Sequence, residues 1–104
     1  MRNKLMSVKV YSSLAYAYCM RFLESEDDKY LYKIRSSINE ARKLASNTNI
    51  SKDDDIQLTV LFTFTEVYLN YKNKEAKKTI GKIRRYPRRL ERVIDKIKQK
   101  VFII

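Results

Sequence analysis

Histidine and tryptophan are absent from this chain of 104 residues, and glycine, proline and cysteine occur once each, as Gly81, Pro87 and Cys19. Each scarcity removes possibilities. Without histidine there is no histidine-based triad, acid/base pair or His-containing metal site. A single glycine rules out a Gly-rich phosphate loop of the Walker type. Few glycines and prolines also leave few punctuation points for hairpins, which disfavours a sandwich or barrel and favours long helices. The lone Cys19 has no partner for an internal disulfide, and its neighbours are apolar or small. It reads as a buried thiol in a reducing compartment. Only a carboxylate- or lysine-based mechanism survives this inventory, so neither enzymatic activity nor a cofactor is expected.

Long apolar runs are missing too. No stretch of about eighteen uninterrupted apolar residues exists, so no membrane-spanning helix is expected. The basic start and Ala15-Tyr16-Ala17 resemble a signal peptide superficially, but Lys9 interrupts the would-be apolar centre. A cytoplasmic protein is expected instead.

What the chain does have is charge, unevenly placed. Residues 72–104 hold thirteen Lys or Arg against three acids, a surplus of ten, whereas residues 1–71 hold ten basic and nine acidic side chains, a surplus of one. Such an asymmetry is an electrostatic footprint and does nothing for folding. With 44% apolar and 34% charged residues, the composition fits one folded domain over residues 1–104.

Hydrophobic spacing predicts an all-α fold, a compact bundle of about five helices. From about Asn3 to Glu24, Leu5, Val8, Ser12, Ala15, Cys19 and Phe22 recur in steps of three and four, widened by Tyr11, Leu14 and Tyr18. Ser13 and Ala17 add small residues that admit a close neighbour. Ser25-Glu26-Asp27-Asp28 carries a helix-start signal, with Ser25 as cap, for a second helix from about Glu26 to Ala45. Its inward residues would be Leu31, Ile34, Ile38, Ala41 and Leu44. Residues 46–49 read as a loop.

Ser51 with Asp53, Asp54 and Asp55 repeats the start signal ahead of Ile56 to Tyr71. Here two periods compete. Ile56, Leu58, Val60, Phe62 and Phe64 alternate with polar residues as in a strand. The preceding cap, and the apolar spacing that continues through Val67, Tyr68 and Tyr71, favour a central helix. A fourth helix is predicted over Lys74–Arg85, with Ala76, Ile80 and Ile83 as its stripe. Tyr86-Pro87 breaks it, because proline disfavours helical geometry in the residue before it and suits the first turn of a new helix. In the last helix, from about Arg88 to Val101, Leu90, Val93, Ile94, Ile97 and Val101 span roughly 100° of a wheel, and the basic residues fill a separate arc of about 120°.

The last two helices therefore form a basic pair broken at Tyr86-Pro87. Lys74, Lys78 and Lys82 follow one another at one-turn spacing on the first, and Arg88, Arg92, Lys96 and Lys100 on the second. Like charges so spaced cost about 0.2–0.5 kcal/mol per pair in a free helix. Nucleic-acid phosphates would supply the missing negative charge, with Arg84, Arg85, Arg88 and Arg89 as the densest point. Tyr86 lies inside that cluster. It either plugs the corner between two helices or stacks on an unpaired base. The expected role is that of a small DNA- or RNA-binding accessory subunit, gripping the phosphate backbone within a larger complex.

Other constellations are weaker. Residues 74–94 contain helix-turn-helix residue types, but Lys77 stands where the small residue four before the glycine belongs, and the link contains proline. Asp53, Asp54 and Asp55 diverge by about 100° each on a helix and cannot converge on one metal ion. Ser13–Tyr18 resembles a fragment of a tetratricopeptide helix without its repeat. The apolar end, Val101, Phe102, Ile103 and Ile104, offers a protein-docking alternative, in which the basic face and this end meet an acidic partner. Gln99 with Phe102 resembles part of a sliding-clamp-binding peptide that lacks its paired aromatics. A membrane surface is a third candidate for the basic amphipathic last helix, but its apolar arc is needed by the bundle.

Overall fold

The computed structural model describes residues 4–46 and 48–102, and among these it contains five α-helices and no strand. They are α1 (Lys4–Ser25), α2 (Lys29–Ala45), α3 (Lys52–Thr65), α4 (Asn73–Lys82) and α5 (Glu91–Phe102). A π-helical turn, Glu66–Asn70, prolongs α3, and a 3-10 turn, Arg88–Leu90, leads into α5. The all-α bundle expected from the sequence is the fold observed.

A three-residue connection joins α1 to α2, which makes them antiparallel neighbours, and theirs is the most extensive helix–helix contact. The second helix begins later than its start signal suggested. Ser25 closes α1, its hydroxyl donating to the Arg21 carbonyl at 2.9 Å and accepting from the Asp27 amide at 3.2 Å. Glu26 then takes a left-handed φ of 56°, and the Asp27 carboxylate accepts from the Lys29 amide at 3.0 Å. Asp28 occupies the cap position without a side-chain bond, and the Asp27 carboxylate takes up the first helical amide in place of Ser25, which is already bonded to the preceding turn.

The disputed third segment is helical. Its cap forms as expected, the Ser51 hydroxyl accepting from the Asp54 amide at 3.1 Å. Leu58, Val60, Leu61, Phe64 and then Val67 are all buried, so apolar residues cover most of the circumference. The threonines that mimicked a strand bond inside their own helix. Thr63 donates to the Thr59 carbonyl and Thr65 to the Phe62 carbonyl, each at 2.8 Å, so neither hydroxyl needs an outside partner.

Around this central helix the core gathers Val8, Ala15, Cys19 and Phe22 of α1, Leu31, Ile34, Ile38 and Ala41 of α2, Ala76 and Ile80 of α4, and Leu90, Val93, Ile94, Ile97 and Val101 at the end. Phe22 meets Phe64 and Tyr68 edge-on, with ring centroids 5.8 and 5.3 Å away. One expectation for α1 fails: Leu14 is exposed, and with Met6 (56% exposed) and Val10 (58%) it forms an uncovered apolar stripe. Ser13 and Ala17 lie outward as well. The helix has more apolar circumference than α2, α3 and the last helix can cover.

Burial pushes the Cys19 thiol up from 9.0 to about 12, against a smaller opposing pull from Arg92. Between those limits the unfolded thiol ionises and the folded one does not, so its contribution to stability falls as pH rises above about 9. Urea midpoints followed across that range should drop more steeply for the natural protein than for Cys19→Ala. Loss of the α3 cap in Ser51→Ala should cost about 1 kcal/mol, read by the same unfolding titration.

Candidate nucleic-acid interface

The corner between α4 and α5 is built by Pro87. A proline has no N–H and forces its predecessor towards extended geometry, so a helix continued to Arg85 would gain few further backbone bonds. The helix ends accordingly at Lys82, three residues earlier than the spacing predicted. Ile83 is extended (φ −82°, ψ 109°), Pro87 sits at φ −59°, ψ 141°, and the Leu90 amide donates to the Pro87 carbonyl at 2.9 Å to start the 3-10 turn. Arg84 and Arg85 therefore project from an extended segment and not from a helix.

That segment is anchored at both ends. Ile80, Leu90 and Ile94 are buried, and Ile83 and Tyr86 are half-buried against the core. Arg89 adds a polar tie: its Nε donates to Gln57 Oε1 at 2.6 Å, and the Gln57 amide nitrogen donates to the Ser12 hydroxyl at 2.8 Å and carbonyl at 3.1 Å. The Tyr16 hydroxyl donates to the Arg89 carbonyl at 3.1 Å. Arg89 is thus partly a structural residue. All four arginines, Arg84, Arg85, Arg88 and Arg89, are exposed.

Ring contacts orient α5 relative to its neighbours. Lys77 of α4 lies over the Phe102 ring at 5.4 Å, which puts α4 against the Phe102 flank of α5. Lys100 lies on the other flank, over Tyr68 at 4.8 Å and near exposed Tyr71 at 5.9 Å. Arg92, which acts on Cys19 of α1, shares that side, and half-buried Lys96 lies one turn from each. The Arg92–Lys100 ridge consequently follows the flank of α5 turned away from Lys77. What the fold brings together is the corner: Lys82, Arg84, Arg85 and Tyr86 line one groove of about 700 Å³, and Arg84, Arg85, Tyr86 and Arg88 line a second, more open cleft of about 600 Å³.

Charge pairing separates this region from the rest. The ion pairs among the described residues are Lys9–Asp54 at 3.0 Å, Lys29–Asp27 at 3.8 Å, and Arg35 and Lys72 on Glu66 at 3.8 and 3.4 Å. None involves any basic residue of the candidate interface. The three aspartates of α3 diverge, Asp54 turning inward to Lys9 and Asp53 standing at the groove. Among the described residues no group of three potential metal ligands forms.

Of the apolar end, Val101 is buried in the core and Phe102 is 54% exposed. Ile103 and Ile104 lie outside the described residues. Sequence reasoning missed Lys52, which lines the groove from the first turn of α3, and Gln57. A lone glutamine within an apolar helix was the available signal for Gln57.

Compared with known family models, curated proteins and solved structures, the chain shows no significant match to any. Its neighbouring arginines should separate by role. Arg89→Ala leaves the buried Gln57 carbonyl without its partner and should cost about 1–3 kcal/mol of stability. Arg88→Ala should stay within about 0.5 kcal/mol in the same denaturant titration.

Proposed function

We propose that this protein is a small, non-enzymatic nucleic-acid-binding accessory protein of the cytoplasm that grips the phosphate backbone through its α4–α5 corner, largely without reading sequence. The observation that carries the reading is an anchored, extended segment bearing Arg84 and Arg85, with Arg88 just beyond it, none of them in an ion pair among the described residues. Guanidinium forks held at fixed spacing and left without intramolecular carboxylates suit a regular row of phosphates. Lys82 extends that surface, and Lys74 and Lys78 continue it along α4. Arg92, Lys96 and Lys100 lie on the other flank of α5 and serve as a secondary contact for a longer or wrapped strand. Backbone contacts of this kind position a protein on nucleic acid without discriminating bases.

Docking on an acidic protein partner remains the alternative, favoured by one observation: Phe102 is exposed beside Lys77 at the far end of α5. Val101 belongs to the core, so Phe102→Ser is the informative variant. No described helix is long and apolar enough to cross a membrane.

Labelled duplex and single strands titrated at several salt concentrations test the main reading. Affinity should fall linearly with salt on logarithmic axes, and each of Arg84→Ala, Arg85→Ala and Arg88→Ala should reduce the slope by about 0.7 on single strands or about 0.9 on B-DNA. Absence of binding at low salt, or affinity indifferent to salt, overturns it. Phe102→Ser should leave these affinities unchanged.

A further inference from the structure

The groove beside Tyr86 is more than a place for phosphate. Its lining is divided by chemistry. Ile56, Ile83, Tyr86 and Pro87 supply an apolar surface, and both isoleucines, the tyrosine and the proline are only half-buried by the protein itself. Lys52, Lys82, Arg84 and Arg85 supply four cations, against one acid, Asp53. The volume, about 700 Å³, falls in the range of small-molecule sites.

An occupant that satisfies both parts must be a planar or apolar body carrying negative charge. Folded acidic proteins present carboxylates on flexible stems, without the regular repeat of charge beside flat rings that this lining matches. Duplex nucleic acid presents phosphates but keeps its bases stacked inside, where a concave slot cannot reach them. A single strand offers both, since its unstacked bases can be splayed onto aromatic and apolar side chains while the backbone tracks basic groups.

The second cleft supports the same path. It lies along the same extended segment, with Tyr86 lining both spaces and Arg88 continuing the row of cations past it. A strand crossing the segment would meet Arg84, Arg85 and Arg88 with its phosphates and place a base in the groove against Tyr86. Each space also holds one acid, Asp53 in the groove and Glu91 in the cleft, outnumbered by four cations in the first and three in the second.

We infer that the groove lined by Ile56, Ile83 and Tyr86 is a nucleobase site, which makes the protein prefer single strands over duplex. This rests on the polyanion-binding reading above and names its substrate more narrowly.

The test compares three labelled probes of equal length at one moderate salt concentration: a single strand, its duplex, and a strand of abasic sites that keeps the phosphates and lacks the bases. The natural protein should bind the single strand about 5- to 150-fold more tightly than the abasic strand, the range that one stacked base contributes. Tyr86→Ala should remove most of that difference while leaving duplex and abasic affinities within about twofold, and Tyr86→Phe, which keeps the ring, should retain it. Equal affinity of the natural protein for single and abasic strands overturns the inference without any variant, so a Tyr86→Ala protein that fails to fold does not protect it. Equal losses on all three probes in a folded Tyr86→Ala protein also overturn it. If no probe binds at low salt, the broader function fails as well.

Discussion

A primary amide inside an apolar core has four hydrogen-bonding positions to satisfy, and leaving one unmet costs about 1–3 kcal/mol, more than a well-placed bond contributes. Gln57, only 3% exposed, solves this by reaching from α3 to Ser12 of α1 on one side and to Arg89 on the other. The arrangement joins three chain segments through one side chain. It also fixes where the chain re-enters helix after Pro87, because Arg89 cannot move far without orphaning a buried carbonyl. The angle of the basic corner follows from that tie together with the burial of Leu90 two faces away. Among the described residues no buried polar side-chain atom lacks a partner.

Electrostatics divides the molecule in the same way. In its first part carboxylates are placed where cations can use them: Asp54 holds Lys9, and Glu66 is shared between Arg35 and Lys72. In the last third the acids Glu75, Glu91 and Asp95 are exposed, and among the described residues no ion pair draws the neighbouring cations to them. Self-repulsion of this kind is tolerable only because the apolar faces of α4 and α5 are well buried. The cost of crowding cations at a rigid corner is met by the core, and the uncompensated field is available to a polyanion.

Much of this architecture was legible in the chain. The apolar arc from Leu90 to Val101 is buried residue for residue, and Ser51 caps its helix as its position foretold. Where spacing misled, local bonding explains why. Ser25 resembles a cap but is already committed to Arg21, and the helix starts at Lys29 instead, its amide bonded to the Asp27 carboxylate. The π-helical turn, closed by Tyr71 at a left-handed φ of 54°, leaves no mark in hydrophobic period because its aromatic and apolar residues suit either helix. The helix break at Tyr86-Pro87 was legible, but the shape of the corner around it was not. A wheel shows that α4 and α5 each have a basic side; it does not show what those sides meet, such as Phe102 under Lys77 and Tyr68 under Lys100. The groove was similarly invisible, since Lys52 and Ile56 come to it from a helix some thirty residues earlier in the chain.

The most direct test of the central claim is a backbone amide chemical-shift map recorded while a short oligonucleotide is titrated into the isotope-labelled protein at low salt. The account expects the saturating shifts to concentrate on residues 82–92, with Lys52 and its neighbours at the start of α3, and to leave the Met6–Leu14 face of α1 unmoved. Saturating shifts centred on the Phe102 end of α5 or on the outer face of α1, with the corner silent, would contradict it.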